Sequence, residues 1–297
     1  MDRLPDTSAF PRNQIIYPKP GPFDYEHPIR ASGARLIEID YHARDALDRI
    51  EKSIRSTTAA IGYAWYEVEE KPKVRELAQL AHRHDLPLIV DAAMSLPPAE
   101  NLRKFIQDGA DLVVFSGGKH IAGPQASGIL CGRGDLIRGT WVQMVDMDVR
   151  AGTWSLQRWV EQGWIARPPR HGIGRSMKVG KEAIIGLMTA LEAYLTRDCT
   201  AEQKRWRAMA EEVAAGLASI AGLRVRLLFP APNGQPFPTV QIDLPRSLQN
   251  ELRSCRPKII LAEDESNPKR VYLYPMCLRD DDPQRIVSAF ENVLKKV

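Results

Sequence analysis

The chain has 297 residues with 44% hydrophobic and 26% charged side chains, an ordinary globular balance with room for a substantial core and two domains. Its net charge of +4 is small, and Lys and Arg are interspersed with Asp and Glu, which argues against a nucleic-acid partner. No apolar run nears the ~20 residues that span a bilayer, the opening MDRLPDTSAFPRNQ lacks the apolar core of a signal peptide, and Cys131, Cys199, Cys255 and Cys277 form no CxxC pair, so the expected setting is a reducing cytoplasm without a membrane span, disulfide framework or metal site.

Residues 1–33 hold Pro5, Pro11, Pro18, Pro20, Pro22 and Pro28 without a sustained period, and read as an extended or irregular lead-in. An alternation of strand and helix patterns then begins. ARLIEI (34–39) predicts a strand and 42–54 a helix; TAAIGYA (58–64) predicts a strand and 71–84 a helix with Val74, Leu77, Leu80 and Ala81 on one face. PLIV (87–90) is a predicted strand, 98–108 a helix and DLVVF (111–115) a strand. The strand runs are almost continuously apolar, as strands buried on both faces are, so the order predicts βαβ units and a parallel sheet.

The pattern breaks from about 140 to 177. This stretch holds Trp141, Trp154, Trp159 and Trp164 and a basic run at Arg167, Arg170 and Arg175, with Lys178 just beyond. A long irregular segment inside a compact chain is functional, interfacial or a packed surface loop. Helices are expected over 178–198 and 200–220, then strands at 223–229, 238–243, 258–262 and 270–275, with a helix at 247–254. Pro283 opens a last helix with Ile286, Phe290, Val293 and Leu294 on one face. This order predicts a smaller second domain beginning near 199.

VDAAMSLPP (90–98) places Asp91 at the carboxyl end of a buried strand, and FSGGK places Lys119 just past the end of the next one. Successive strands of a parallel sheet point the same way, so both side chains emerge at the carboxyl edge, where open α/β sheets bind ligands. A carboxylate and a lysine there fit a pyridoxal phosphate site; the alternative is that Asp91 caps a helix and Lys119 is a turn lysine. A phosphate-binding GxxxxGK[ST] loop is excluded, because Lys119 is followed by His120 and Val113 stands where its first glycine belongs. His82 and His84 are two apart on a helix, do not face each other, and read as solvated helix-end residues.

The segments VDAAMSLPPAENLRKFIQDGADLVVFSGGKHIAGPQASGILCGRGDLI (90–137) and GIGRSMKVGKEAIIGLMTALEAYLTRD (172–198) resemble the selenocysteine-synthase-like branch of the fold type I pyridoxal phosphate enzymes. That branch includes bacterial selenocysteine synthase and the D-glucosaminate-6-phosphate ammonia-lyase family, and the resemblance to the ammonia-lyase family is the nearer of the two. PDTSAFPRNQII (5–16) is similar to the segment that the family places ahead of its second large-domain strand. The resemblance covers nearly the whole chain, and SGGKxIxGPQxSG is its specific part.

The resemblance implies a fold type I α/β architecture: a mostly parallel sheet in a large domain, 1–198, and a smaller α+β domain, 199–297. It implies Lys119 as the Schiff-base lysine, Asp91 as the partner of the pyridine nitrogen, Ser116 as a phosphate ligand and Gln125 as a residue lining the site. Arg175 and Lys178 would reach an anionic group, across a dimer interface. Two departures stand out. Nothing before Pro5 could serve as the family's Gly-rich phosphate cradle, and Gly21 and Pro22 fall where the family has a His-Arg-like pair, with Lys19, Tyr25 or His27 as possible substitutes.

The activity implied is that of a pyridoxal phosphate-dependent lyase or transferase acting on a small amino acid or amino sugar acid, by α,β-elimination of the ammonia-lyase type. Alternatives are an aminotransferase or aldolase, or a non-catalytic or half-site subunit that needs a separate polypeptide to supply the N-terminal segment. The expected partners are a small-molecule substrate and a homodimer or higher oligomer, with neither nucleic acid nor membrane.

Overall fold

The computed structural model describes residues 3–19, 25–65, 72–144, 151–169, 171–264 and 266–295. The chain divides into two compact units, Met1–Leu195 and Thr196–Val297.

In the first unit the elements run β1 (Gln14–Pro18), α1 (His27–Ala31), β2 (Arg35–Ile39), α2 (Ala46–Ser53), β3 (Thr58–Ala64), α3 (Val74–Arg83), β4 (Leu88–Asp91), α4 (Asn101–Gln107), β5 (Leu112–Ser116), β6 (Gly128–Gly132), α5 (Gly134–Met144), α6 (Gln157–Glu161) and α7 (Lys181–Thr196). The strands form one six-stranded sheet in the order β2-β1-β3-β4-β5-β6. All neighbours pair in parallel except β5 and β6, which are antiparallel. Parallel strands buried on both faces have to be apolar throughout, and Ile61, Leu88, Val90, Val113 and Phe115 accordingly form the core with Ile16, Ile50 and Leu77. The α3 helix buries Val74, Leu77, Ala78, Leu80 and Ala81 along one stripe, and the Glu76 carboxylate accepts the Lys73 N–H at 2.8 Å to close its first turn.

The proline-rich lead-in contains a strand that its local pattern conceals. QIIYP is β1, which sits between β2 and β3, inside the sheet. GILCG forms β6 against β5.

The second unit comprises α8 (Cys199–Ala218), β7 (Arg224–Leu228), β8 (Thr239–Asp243), α9 (Gln249–Arg253), β9 (Ala262–Glu263), β10 (Arg270–Leu273) and α10 (Asp282–Lys295). Its antiparallel sheet, β7-β8-β10-β9, shares a core of Val240, Ile242 and Val271 with Val213 and Leu217 of α8 and Phe290 of α10. Asp198 caps α8 by accepting the N–H groups of Thr200 and Ala201, both at 3.0 Å. The strand expected at 258–262 shrinks to Ala262–Glu263, because only those two residues pair with β10. Ile259 and Leu261 are buried in the core instead.

Candidate active site

The β4 and β5 strands lie side by side with Asp91 opposite Val114. Asp91 ends β4, and Ser116 ends β5 two residues beyond that pair, so both stand at the carboxyl edge of the sheet. Lys119 follows in the turn over residues 117–121 and is half-buried. Asp91 Oδ1 accepts the Ala93 N–H at 3.0 Å, which fixes the loop after β4. Among the described residues, Asp91 Oδ2, the Ser116 hydroxyl and the Lys119 ammonium have no hydrogen-bond or ion-pair partner. Three polar groups are thus left with unused bonding capacity at one edge.

The lysine turn is held from several sides. Gly117 N–H donates to the Ser127 carbonyl at 3.0 Å, Gly123 N–H to that of Gly117 at 2.8 Å, and Ala122 N–H to that of Lys119 at 2.8 Å. Ser127 Oγ donates to the Pro124 carbonyl at 2.5 Å. The two glycines before Lys119 answer a steric demand. A Cβ on Gly117 would lie 2.2 Å from Ser127 Oγ and 2.8 Å from Leu187 Cδ1, and one on Gly118 would lie 2.7 Å from both Cα and Oε1 of Gln125. Gln125 is therefore packed against the backbone immediately before Lys119, while the residue as a whole is exposed.

The amine is faced by an aromatic ring. Lys119 Nζ lies 5.7 Å from the centre of the Tyr25 ring, within cation–π range. Of the three residues that could stand in for the family's His-Arg-like pair, Tyr25 is the one in contact with Lys119; Gly21 and Pro22 themselves lie outside the described residues.

Arg175 and Lys178 ride on a different element. Arg175 belongs to the short 3-10 turn Ile173–Met177 and Lys178 follows it, both exposed. Gly172 and Gly174 of that segment pack against Gln143 and Met144 at the end of α5. Arg170 lies outside the described residues. The two histidines of the α3 end are each paired with a carboxylate rather than simply solvated: His82 Nε2 with Asp111 Oδ2 at 2.9 Å, and His84 Nε2 with Glu51 Oε1 at 3.0 Å.

Pyridoxal phosphate is a test of this donor set. It needs an amine not committed to a carboxylate, an acid for its ring nitrogen and donors for its phosphate. Lys119, Asp91 and Ser116 provide these at neighbouring strand ends, and the residues present fit the group.

The family model described as SelA, L-seryl-tRNA selenium transferase, matches residues 20–150. A 5'-C-glycyluridine monooxygenase-decarboxylase from Streptomyces sp is 27% identical over 99% of this chain and 70% of its own length. The D-glucosaminate-6-phosphate ammonia lyase of Salmonella typhimurium is 29% identical over 71% of this chain, which spans only 51% of that relative. Among solved structures, a D-glucosaminate-6-phosphate ammonia-lyase superposes on 96% of this chain and 71% of its own with a TM-score of 0.67 at 23% identity. A serine palmitoyltransferase from S. paucimobilis holding PLP superposes with a TM-score of 0.55 at 11% identity.

The mostly parallel sheet with one antiparallel strand, followed by a small antiparallel unit, is therefore the architecture of the fold type I pyridoxal phosphate enzymes. In sequence the chain is similar over part of its length to the SelA family and to relatives named as lyases and transferases. Among the described residues, no helix is long and apolar enough to cross a membrane.

Proposed function

We propose that this chain is a pyridoxal phosphate-dependent enzyme that eliminates a β-hydroxyl from a small α-amino acid of the amino-sugar-acid type, with Lys119 as the Schiff-base lysine. The observation that carries the reading is the Lys119 amine, half-buried and without a carboxylate partner, at the same sheet edge as the unpaired Asp91 oxygen and Ser116 hydroxyl. The substrate class draws support from the relatives' names. 5'-C-glycyluridine and D-glucosaminate-6-phosphate are both α-amino acids carrying a sugar-derived side chain.

The cofactor, when bound, supplies an aldehyde that couples to amines and a ring that takes up the electron pair released at Cα. Asp91, anchored through Oδ1 by Ala93, keeps a proton on the ring nitrogen through Oδ2. The Ser116 hydroxyl donates to the phosphate, and Gln125 lines the site from the far side of the Gly118 backbone. Lys119 would take the proton from Cα and hand it to the departing β-hydroxyl, which leaves as water. Hydrolysis of the resulting enamine gives a keto acid and ammonia. Arg175 and Lys178 offer positive charge to an acidic or phosphorylated end of the substrate.

The test is a visible spectrum of the purified chain with pyridoxal phosphate, borohydride reduction, and peptide mapping. A pyridoxyl group locked onto Lys119, and ammonia release from a β-hydroxy amino acid, is the expected result. Labelling scattered over surface lysines would sink the reading. A keto acid formed with conversion of the cofactor to its amine form would point to an aminotransferase, and aldehyde release to an aldolase.

A second reading has its own observation. Val114 and Leu130 on the β5–β6 pair, and Ile184, Ile185 and Met188 of α7, are exposed apolar side chains that a further chain would cover. In this reading the chain is a subunit of a homodimer or higher oligomer, or a half-site completed by a separate polypeptide. Light scattering fixes the assembly, and labelling of Lys119 only after a second polypeptide is added distinguishes the half-site.

A further inference from the structure

The tryptophan-rich segment forms a second place for a ligand, away from the Lys119 turn. A cavity of about 750 Å³ opens between α5, the loop after α6 and the N-terminal segment, with Phe10, Trp159 and Trp164 as aromatic walls and Arg3, Arg138 and Asp135 as charged ones. That volume is within the range of small-molecule sites. Trp159 is the hub of the aromatic walls, with ring centres 5.5 Å from Trp141, 6.5 Å from Trp154 and 6.0 Å from Trp164. Trp164 is 51% exposed, and the Arg138 guanidinium stands 4.3 Å from its ring centre.

The acidic residue of this cavity is paired. Asp135 is held by Arg133 at 2.7 Å, and Arg133 also binds Asp111 at 3.0 Å. The carboxylate is thereby held outward, and Arg3 and Arg138 line the cavity as cations. The same ion pairs locate it. Arg133 ties Asp135 to Asp111 at the start of β5, whereas Lys119 follows the other end of that strand.

An exposed indole, Trp164, next to the half-buried Trp159 and beside arginines forms a stacking platform for a planar ring that carries negative charge. A purely apolar ligand would leave the Arg3 and Arg138 charges unanswered, and inorganic phosphate alone would leave the indoles in water. We propose that this cavity binds a nucleoside monophosphate, its base against Trp159 and Trp164 and its phosphate on Arg138 and Arg3. This site is additional to the one at Lys119 and does not depend on the cofactor reading.

The test is isothermal titration calorimetry of the full chain with uridine 5'-monophosphate and adenosine 5'-monophosphate, each compared with its nucleoside and with inorganic phosphate. The expected result is saturable binding of at least one nucleotide, about tenfold or more tighter than nucleoside or phosphate alone. Trp164→Ala and Arg138→Ala should each weaken it roughly 5- to 100-fold, with Trp164→Phe losing less, while the thermal midpoint stays near that of the parent. Failure of both nucleotides to saturate at millimolar concentration overturns the proposal. So does phosphate binding as tightly as the nucleotides, or affinity that is unchanged in both folded variants.

Discussion

Lys119 Nζ and the Tyr25 ring face each other, with 5.7 Å from the nitrogen to the ring centre. A ring coupled to that amine would be carried beside Tyr25, and aromatic pairs attract at centroid spacings of about 4.5–7 Å. Tyr25 is therefore expected to stack on the cofactor, a role filled by the ring and not by its hydroxyl. Tyr25→Phe should bind pyridoxal phosphate like the parent, and Tyr25→Ala should bind it about tenfold more weakly, as stacking worth ~0.5–1.5 kcal/mol plus lost contact area implies. Titration followed by absorbance measures both. Equal affinities for the Ala and Phe variants would remove Tyr25 from the site.

Asp91 does two jobs with two oxygens. Oδ1 accepts the Ala93 N–H at 3.0 Å, and Oδ2, without a partner among the described residues, is the oxygen proposed for the cofactor nitrogen. Asn keeps the first bond and removes the charge. Asp91→Asn should therefore fold and still be labelled at Lys119, yet lose about 100-fold or more in kcat, since an unprotonated ring is a poor electron acceptor. Asp91→Ala should also loosen the loop after β4 and lower the melting temperature. A near-normal kcat in the Asn variant would assign the residue to loop geometry alone.

Whether a feature could be read from the sequence depended on whether its cause was local. PLIV and DLVVF are apolar almost throughout, as strands of a largely buried parallel sheet are, so β4 and β5, and with them the positions of Asp91 and Lys119, were legible even though Val114 is exposed. QIIYP was not, because its neighbouring prolines argue for irregular chain and its strand character comes from pairing with β2 and β3. GILCG, flanked by glycines and half-exposed, is a strand only by virtue of β5. KIIL has the composition of a strand, but tertiary burial of Ile259 and Leu261 took precedence over pairing. The Tyr25–Lys119 contact joins distant parts of the chain and leaves no periodic trace; only the family's His-Arg-like pair hinted that something should stand there.

Gly118 is required by its neighbour. A methyl group there would lie 2.7 Å from the Gln125 Cα, a backbone atom that cannot swing aside as a side-chain end can. Gly118→Ala is expected to push residues 117–121 away from Gln125 and carry Lys119 with them. Borohydride labelling of Lys119 should then fall at least tenfold in a protein whose circular dichroism is unchanged. Gln125→Gly in the same chain relieves the contact with Oε1 but not with Cα, so it should restore labelling only in part. Full labelling of the single variant would show that the turn is free to shift without cost to the site.

Asp111 is a source of acid sensitivity in the large unit. Its side chain is 6% exposed; Oδ2 accepts the Leu88 N–H at 2.8 Å and His82 Nε2 at 2.9 Å, and Oδ1 accepts Arg133 at 3.0 Å. Burial by itself pushes the carboxyl up, but the Leu88 N–H, His82 and Arg133 together outweigh it and hold the group below the ordinary carboxylate value. A carboxyl with a lowered folded-state pKa stabilises the fold fully above its unfolded value of about 3.9 and loses that contribution as pH falls through the folded value. At pH 7, Asp111→Asn should cost about 1–3 kcal/mol, since it weakens the bond to Leu88 and turns an amide toward Arg133 and His82. The gap between parent and variant should narrow progressively as the pH is taken below about 4. Denaturant unfolding across pH 3 to 7 reads both curves, and a gap that stays constant down to pH 3 would mean that Asp111 is not the titrating group.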